Sequence, residues 1–179
     1  MHVARSISAA LVLAAYDFVR IHRGRRRGSS MYLYETHLPV TDTRASQAFY
    51  TQIVGLSFAY RDPKRDIAFL WIGEYRRSML GLWGTQFGRA AQKSHFAIAV
   101  SLPELLIAGK RLNDLRVATR NFKNERTTEP SVIGGMPSAQ LHFDDLDGHL
   151  LEFIALLDDD PNAEFIGSFS EWEASCQAH

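Results

Sequence analysis

Cysteine is almost absent from this 179-residue chain: Cys176, near the C-terminus, is the only one. That excludes a disulfide framework and a thiolate metal site, and it suits a reducing compartment such as the cytoplasm. Net charge is absent as well, with 20 Lys and Arg against 20 Asp and Glu. The balance is uneven along the chain. Arg5, Arg20, Arg23, Arg25, Arg26 and Arg27 face only Asp17 before residue 30, so that segment sits near +5 and the remaining 149 residues near −5. A mildly acidic body argues against nucleic acid as a partner, because a phosphate-binding surface leaves a basic footprint. Long apolar runs are lacking too. The stretch from Ile7 to Val19 contains Tyr16 and Asp17 and falls short of the roughly 20 residues a membrane helix needs. It is a poor secretory signal, since the positive cluster Arg20 to Arg27 follows the apolar run instead of preceding it. No serine sits in a nucleophile elbow, and Gly134-Gly135 lies in a loop before a strand rather than cradling phosphate ahead of a helix.

What is present suits one soluble domain: 46% apolar and 22% charged residues over a length that can bury a substantial core. Residues 1–30 read as an appended basic extension, disordered or an organellar targeting segment, with Met31 an equally good start and Gly28-Ser29-Ser30 a linker. The domain is expected over 31–157, as one unit at 31–90 and a second at 91–157. The tail 158–179 carries Phe165, Ile166, Phe169 and Trp172 and is expected to pack back on the domain or on a second subunit.

The two units share one order of elements. Tyr32 to Val40 is strand-like, and Thr43 to Val54 has helical spacing, with Asp42 or Thr43 to cap it and Gly55 to end it. Short strands follow at Leu56 to Tyr60, Ile67 to Ile72 and Ser78 to Trp83, parted by Asp62-Pro63 and Gly73-Glu74. The second unit opens with a strand at Ser94 to Val100 and a helix from Pro103 to Leu115. Strands around Ala118 to Lys123, Ala139 to Phe143 and Leu150 to Leu156 complete it, with a loop holding Pro130, Gly134, Gly135 and Pro137. Asp147-Gly148 marks a tight hairpin turn between the last two strands. Each unit therefore reads βαβββ.

Three side chains stand out on this frame. Glu35-Thr36-His37-Leu38 is echoed by Lys93-Ser94-His95-Phe96, so each unit opens with a histidine at the same place. Glu152 lies in the apolar run Leu150 to Leu157, where a buried carboxylate needs a cation or hydrogen bonds. Two imidazoles and one carboxylate make a plausible metal triad with room for water and substrate. His149 is three residues from Glu152 and so lies on the opposite strand face, which argues against joint ligation. His142 reads as a packing residue or a support for a ligand.

With these residues in view, the stretch from Met31 to Leu157 resembles the vicinal oxygen chelate superfamily, the group of glyoxalase I, fosfomycin-modifying enzymes and extradiol dioxygenases. The most specific parts are the strand with His37, the segment Ser46 to Leu56 with Phe49-Tyr50 and Gly55-Leu56, and the hairpin from Phe143 to Glu152. The resemblance implies an α+β fold of paired βαβββ modules in a curled, barrel-like mixed sheet with helices outside. It also implies one divalent metal (Zn, Mn, Fe, Ni or Co), held by His37, His95 and Glu152, and a homodimer.

The branches of the superfamily fit unequally. Aligning the units by their last strands puts Gly81 opposite Glu152, where glyoxalase I and the methylmalonyl-CoA epimerases usually supply a fourth ligand. Fosfomycin thiol transferases usually carry a Thr where this chain has Pro39. Extradiol dioxygenases add acid/base partners, roles open to His142 and Tyr60. Glu35 and Lys93 share strand faces with His37 and His95 and are candidate general bases, supporting residues or substrate anchors. The sequence thus points to a metal-dependent, glyoxalase-like enzyme on a small oxygenated substrate. An Fe(II) extradiol-type dioxygenase and a non-catalytic small-molecule-binding module are the alternatives.

Overall fold

A computed structural model describes residues 32–85 and 92–177. The expectations for residues 1–30 lie outside the described residues. Strand β1, Glu35–Val40, turns Leu38 and Val40 inward, at 2% and 0% exposure, and leaves Glu35 at the open end. Asp42 then caps helix α1, Thr43–Phe49, accepting from the Arg44 and Ala45 amides at 2.8 and 3.0 Å. The helix expected to run to Val54 changes pitch at Tyr50. Tyr50–Val54 is a π-helical turn, within which the Thr51 hydroxyl donates to the carbonyls of Gln47 and Ala48. Gly55 ends it with φ of +96°, a left-handed conformation that glycine adopts without penalty.

Strands β2 (Ser57–Asp62), β3 (Ile67–Ile72) and β4 (Ser78–Gly84) fold back antiparallel, and β4 closes alongside β1 in parallel. The first sheet therefore has the order β1-β4-β3-β2. The second unit repeats the plan. It runs through β5 (His95–Ala99), helix α2 (Leu102–Asp114), β6 (Thr119–Arg120), β7 (Ser131–Ile133), β8 (Ser138–Asp144) and β9 (Leu150–Leu156). A reciprocal box between Ser101 and Glu104 starts α2, with Pro103 in its first turn. The strand expected through Lys123 stops at Arg120, because the Asn121 side chain accepts from the Lys123 and Glu125 amides and turns the chain. The loop around Pro130 contains the short β7, and the C-terminal segment adds β10 (Ile166–Ser168) and helix α3 (Phe169–Gln177). The order of the second sheet is β10-β7-β8-β9-β5, with β6 on β8. The mixed sheet expected from the sequence is thus two curled sheets, one per unit.

Period-two alternation decides what each sheet buries. In the first, Leu38, Val40, Ala68, Leu70, Leu80 and Leu82 all face the core. In the second, Leu141, Phe143, Leu151, Phe153 and Ala155 do so, joined by Leu105, Ala108 and Leu112 of α2. Burying each such leucine is worth about 1.5–3 kcal/mol relative to leaving it in water. Phe169 and Trp172 of α3 belong to the same core, whereas Ile166 stays exposed. Among the described residues no helix is long and apolar enough to cross a membrane.

The β8–β9 hairpin ties the second unit to the first. The buried Tyr50 hydroxyl donates to Asp145 at 2.8 Å, and its pKa is pushed up strongly by burial and then by the Asp145 charge. The Thr41 amide donates to Asp147 at 3.0 Å. His149, 1% exposed, is the central link. Its Nε2 lies 2.8 Å from the Pro39 carbonyl, which only accepts, and its Nδ1 lies 3.1 Å from the Ser94 amide, which only donates. The imidazole is therefore neutral with its proton on Nε2. We expect His149→Ala to cost on the order of 2–4 kcal/mol, since it strands two backbone groups and opens a void. Urea unfolding followed by tryptophan fluorescence measures this, and a loss below about 1 kcal/mol would remove the linking role.

Candidate metal centre

The same alternation that buries the leucines turns the remaining side chains of each sheet to its open face. On the second sheet these are His95 and Ala97 of β5, Glu152 of β9, and Gln140, His142 and Asp144 of β8. Their registers are Ala97 with Glu152 and His142 with Glu152, so the carboxylate stands between β5 and β8. One oxygen of Glu152 meets both imidazoles, His95 Nε2 at 3.1 Å and His142 Nε2 at 3.4 Å. The ligand atoms of His95, His142 and Glu152 all lie within 4.8 Å of one another. Burial raises the Glu152 pKa, but hydrogen bonds and charge from His142 and then His95 outweigh it, and the carboxyl ends below its usual range. The cluster is open on one side: the His95 side chain is 51% exposed against 9% for Glu152.

This donor set fits a divalent ion. Two imidazoles and one carboxylate aimed at a shared point match the borderline metals, and the exposed side leaves positions for water and substrate. His142 Nδ1 is buried without a hydrogen-bond partner, while its Nε2 faces the Glu152 carboxylate.

The structure brings together two members of the sequence triad, His95 and Glu152, and adds His142. His37 is not in this cluster. It stands on β1 of the first sheet, its Nε2 in contact with Glu35 Oε1 and its ring beside Trp83 and Phe69, at centroid distances of 5.2 and 6.1 Å. Tyr60 shares that face, stacked on Phe69 at 6.3 Å. Lys93 is exposed and runs along Gly148 of the hairpin turn, where a Cβ would meet its Nζ at 3.1 Å. His149, with both nitrogens committed to backbone, is unavailable as a ligand.

Register explains the difference between the sheets. In the first, His37 is the partner of Gly81; in the second, Ala97 is the partner of Glu152 and His95 that of Leu150. The last strands align Gly81 with Glu152, but the histidines are then offset by two residues, with Glu35 in the place of His95 and Phe69 in the place of His142. Where the last strand carries a carboxylate, its neighbour is alanine; where it carries glycine, its neighbour is histidine. The His37 ring fills the space over Gly81, where a Cβ would lie 2.5 Å from Cδ2. The role of His142 was hard to read from sequence, because it depends on the β8–β9 register. The fixed Asp-Gly turn was the available signal, since it puts residue 142 across from 152.

With this geometry in place, comparison with known proteins is decisive for the class. The Glyoxalase/Bleomycin resistance protein/Dioxygenase superfamily profile matches residues 33–153, and the chain belongs to that superfamily. Solved structures agree on the fold. An integron cassette protein from the mobile metagenome of the Halifax Harbour sewage outfall is 28% identical with a TM-score of 0.58, over 70% of this chain and 98% of that one. A lactoylglutathione lyase from Agrobacterium tumefaciens is 20% identical with a TM-score of 0.56, over 73% and 96%. The oxidase ChaP-H2 is 18% identical with a TM-score of 0.59, over 75% and 100%. No curated protein sequence matches the chain.

Because Gly81 is the floor under His37, Gly81→Ala should push the imidazole aside at a cost of about 1–3 kcal/mol without unfolding the protein. Imidazole NMR resonances report it: those of His37 should move while those of His149 stay. Unmoved His37 signals would contradict the packing.

Proposed function

We propose that this protein is a divalent-metal-dependent, glyoxalase-like enzyme, lyase-like in type, acting on a small oxygenated substrate. The observation that carries this reading is the convergence of His95, His142 and Glu152 on the open face of the second sheet. A divalent ion held there supplies Lewis-acid stabilisation of negative charge developing on substrate oxygens. The protein's own share is positional. Glu152 is fixed by the β5–β9 and β8–β9 ladders, and His95 projects into the open side where substrate enters. Trp83, Phe69 and Tyr60 line the other open face and offer apolar walls for a substrate.

His37 belongs to the proposed ligand set through a homodimer. In this reading a two-fold axis sets the first sheet of each copy over the second sheet of the other, so that His37 approaches the open side of the cluster. A two-fold arrangement builds two identical sites at once. Zn, Mn, Fe, Ni and Co all suit such donors. The single cysteine and the mildly acidic balance of the residues after 30 fit a cytoplasmic enzyme with no nucleic-acid partner.

A second reading, an Fe(II) extradiol-type dioxygenase, is favoured by the two-histidine, one-carboxylate composition of the cluster, a set used by non-haem iron oxygenases. A non-catalytic binding module is disfavoured by the same cluster.

Elemental analysis of protein purified without chelator or histidine tag tests the proposal. The expected result is close to one equivalent of a transition metal per chain, with loss of metal but not of fold in His95→Ala and Glu152→Ala. Iron would direct assays to catechols, and Mn, Ni or Zn to glyoxalase-type substrates. Full metal content in both variants would remove the proposal.

A further inference from the structure

The row of side chains that crosses the open face at Glu152 does not end at the metal cluster. His142, the ladder partner of Glu152, is in turn the partner of Arg120 on β6, and Arg120 is bridged on its other side to Arg126. Directly opposed residues of a sheet project to one face, so two arginines extend the line of Ala97, Glu152 and His142. Asp144, two residues beyond His142 on the same face, holds the first of them. Arg120 Nη1 donates to Asp144 Oδ2 at 2.7 Å and Nη2 to Oδ1, a bidentate contact that fixes the guanidinium beside the cluster.

One carboxylate here serves two guanidinium groups. Arg120 spends on Asp144 a single N–H from each terminal nitrogen, out of the five a guanidinium carries, and among the described residues Arg126 forms no ion pair. Like charges opposed across strands repel, so this corner of the face keeps a surplus positive charge that an anion would relieve. It is open to solvent: the Arg120 side chain is 23% exposed, Asp144 41%, and Arg126 lies on the surface. Neighbouring strands lie about 4.8 Å apart, which puts the Arg120 backbone about 10 Å from that of Glu152. Leu150, the partner of Asp144 and two residues before Glu152, gives the space between them an apolar floor.

We infer that Arg120 and Arg126 form a carboxylate subsite that decides which substrates the metal centre accepts. This rests on the proposed metal site of His95, His142 and Glu152. The substrate class is a small molecule with two unlike ends: oxygens for the ion, and a carboxylate a short apolar chain away. Arg120, oriented by Asp144, sets the direction of that carboxylate, and Arg126 supplies the uncompensated charge. Both act on the far end of the substrate, away from its reacting atoms.

The test uses the full-length protein loaded with Co(II), whose visible bands report ligands that chelate the ion through vicinal oxygens. Succinic monohydroxamate and butyrohydroxamate share one chelating group and one chain length, and differ in a terminal carboxylate against a methyl. The wild type should bind the carboxylate probe at least about tenfold more tightly, as a charge-assisted contact provides. Arg120→Met and Arg126→Met should each remove most of that preference, with Co(II) affinity and butyrohydroxamate affinity unchanged. Arg126→Met reads the subsite at an exposed position without touching the contact between Arg120 and Asp144, and Arg120→Lys should keep part of the preference. Equal affinity of the wild type for the two probes would overturn the inference, as would a preference that both methionine variants retain. In either case Co(II) binding by the wild type and its loss in Glu152→Gln would leave the proposed function standing. A wild type that takes up no Co(II) would overturn the proposed function, and the subsite with it.

Discussion

The site depends first on how two strands are held, and His149 holds them. Its Nε2–H is given to the carbonyl of Pro39, two residues after His37, and its Nδ1 receives the amide of Ser94, the residue before His95. One buried side chain therefore fixes the backbone beside both opening histidines. Asp145 and Asp147 reinforce the link through Tyr50 and Thr41. An imidazole suits this better than an amide side chain of similar length, because its two nitrogens sit on a rigid ring and serve one donor and one acceptor at fixed angles.

Register is the second constraint, and it accounts for how unlike the two open faces are. In parallel ladders a shift of two residues keeps every side chain on its face, so the two units can share a fold while differing in which donors become neighbours. The second unit uses this freedom to set Glu152 between two histidines, with Ala97 leaving room beside it. The first uses it to lay His37 over Gly81 among aromatic rings. The proposed homodimer is the arrangement that would set the polar cluster of one copy against the aromatic face of the other.

Much of the fold was legible because alternation and capping are local signals. Asp42, Ser101 with Glu104, Gly55 and the Asp147-Gly148 turn marked element ends that the structure retains. The π-helical turn at Tyr50 was not legible, since it is defined by the Gly55 amide reaching back five residues to the Tyr50 carbonyl. Short β7 and β10 carry too few residues for periodicity to register and owe their pairing to tertiary contact. His95 and Glu152 could be found from sequence because they are strand residues whose chemistry is out of place in apolar runs. His142 could not be ranked with them, as its role is set by a cross-strand partner ten residues away. The echo of His37 and His95 in sequence is offset by two positions in the ladders, a difference that no linear alignment of the units reveals.

A divalent ion held by His95 and Glu152 would be seen in a crystal structure of the Mn(II)-loaded protein with anomalous scattering recorded. The expected result is one strong anomalous peak per chain within bonding distance of His95 Nε2 and Glu152, on the open face of the second sheet. A peak elsewhere, or none at full Mn(II) loading, would contradict it.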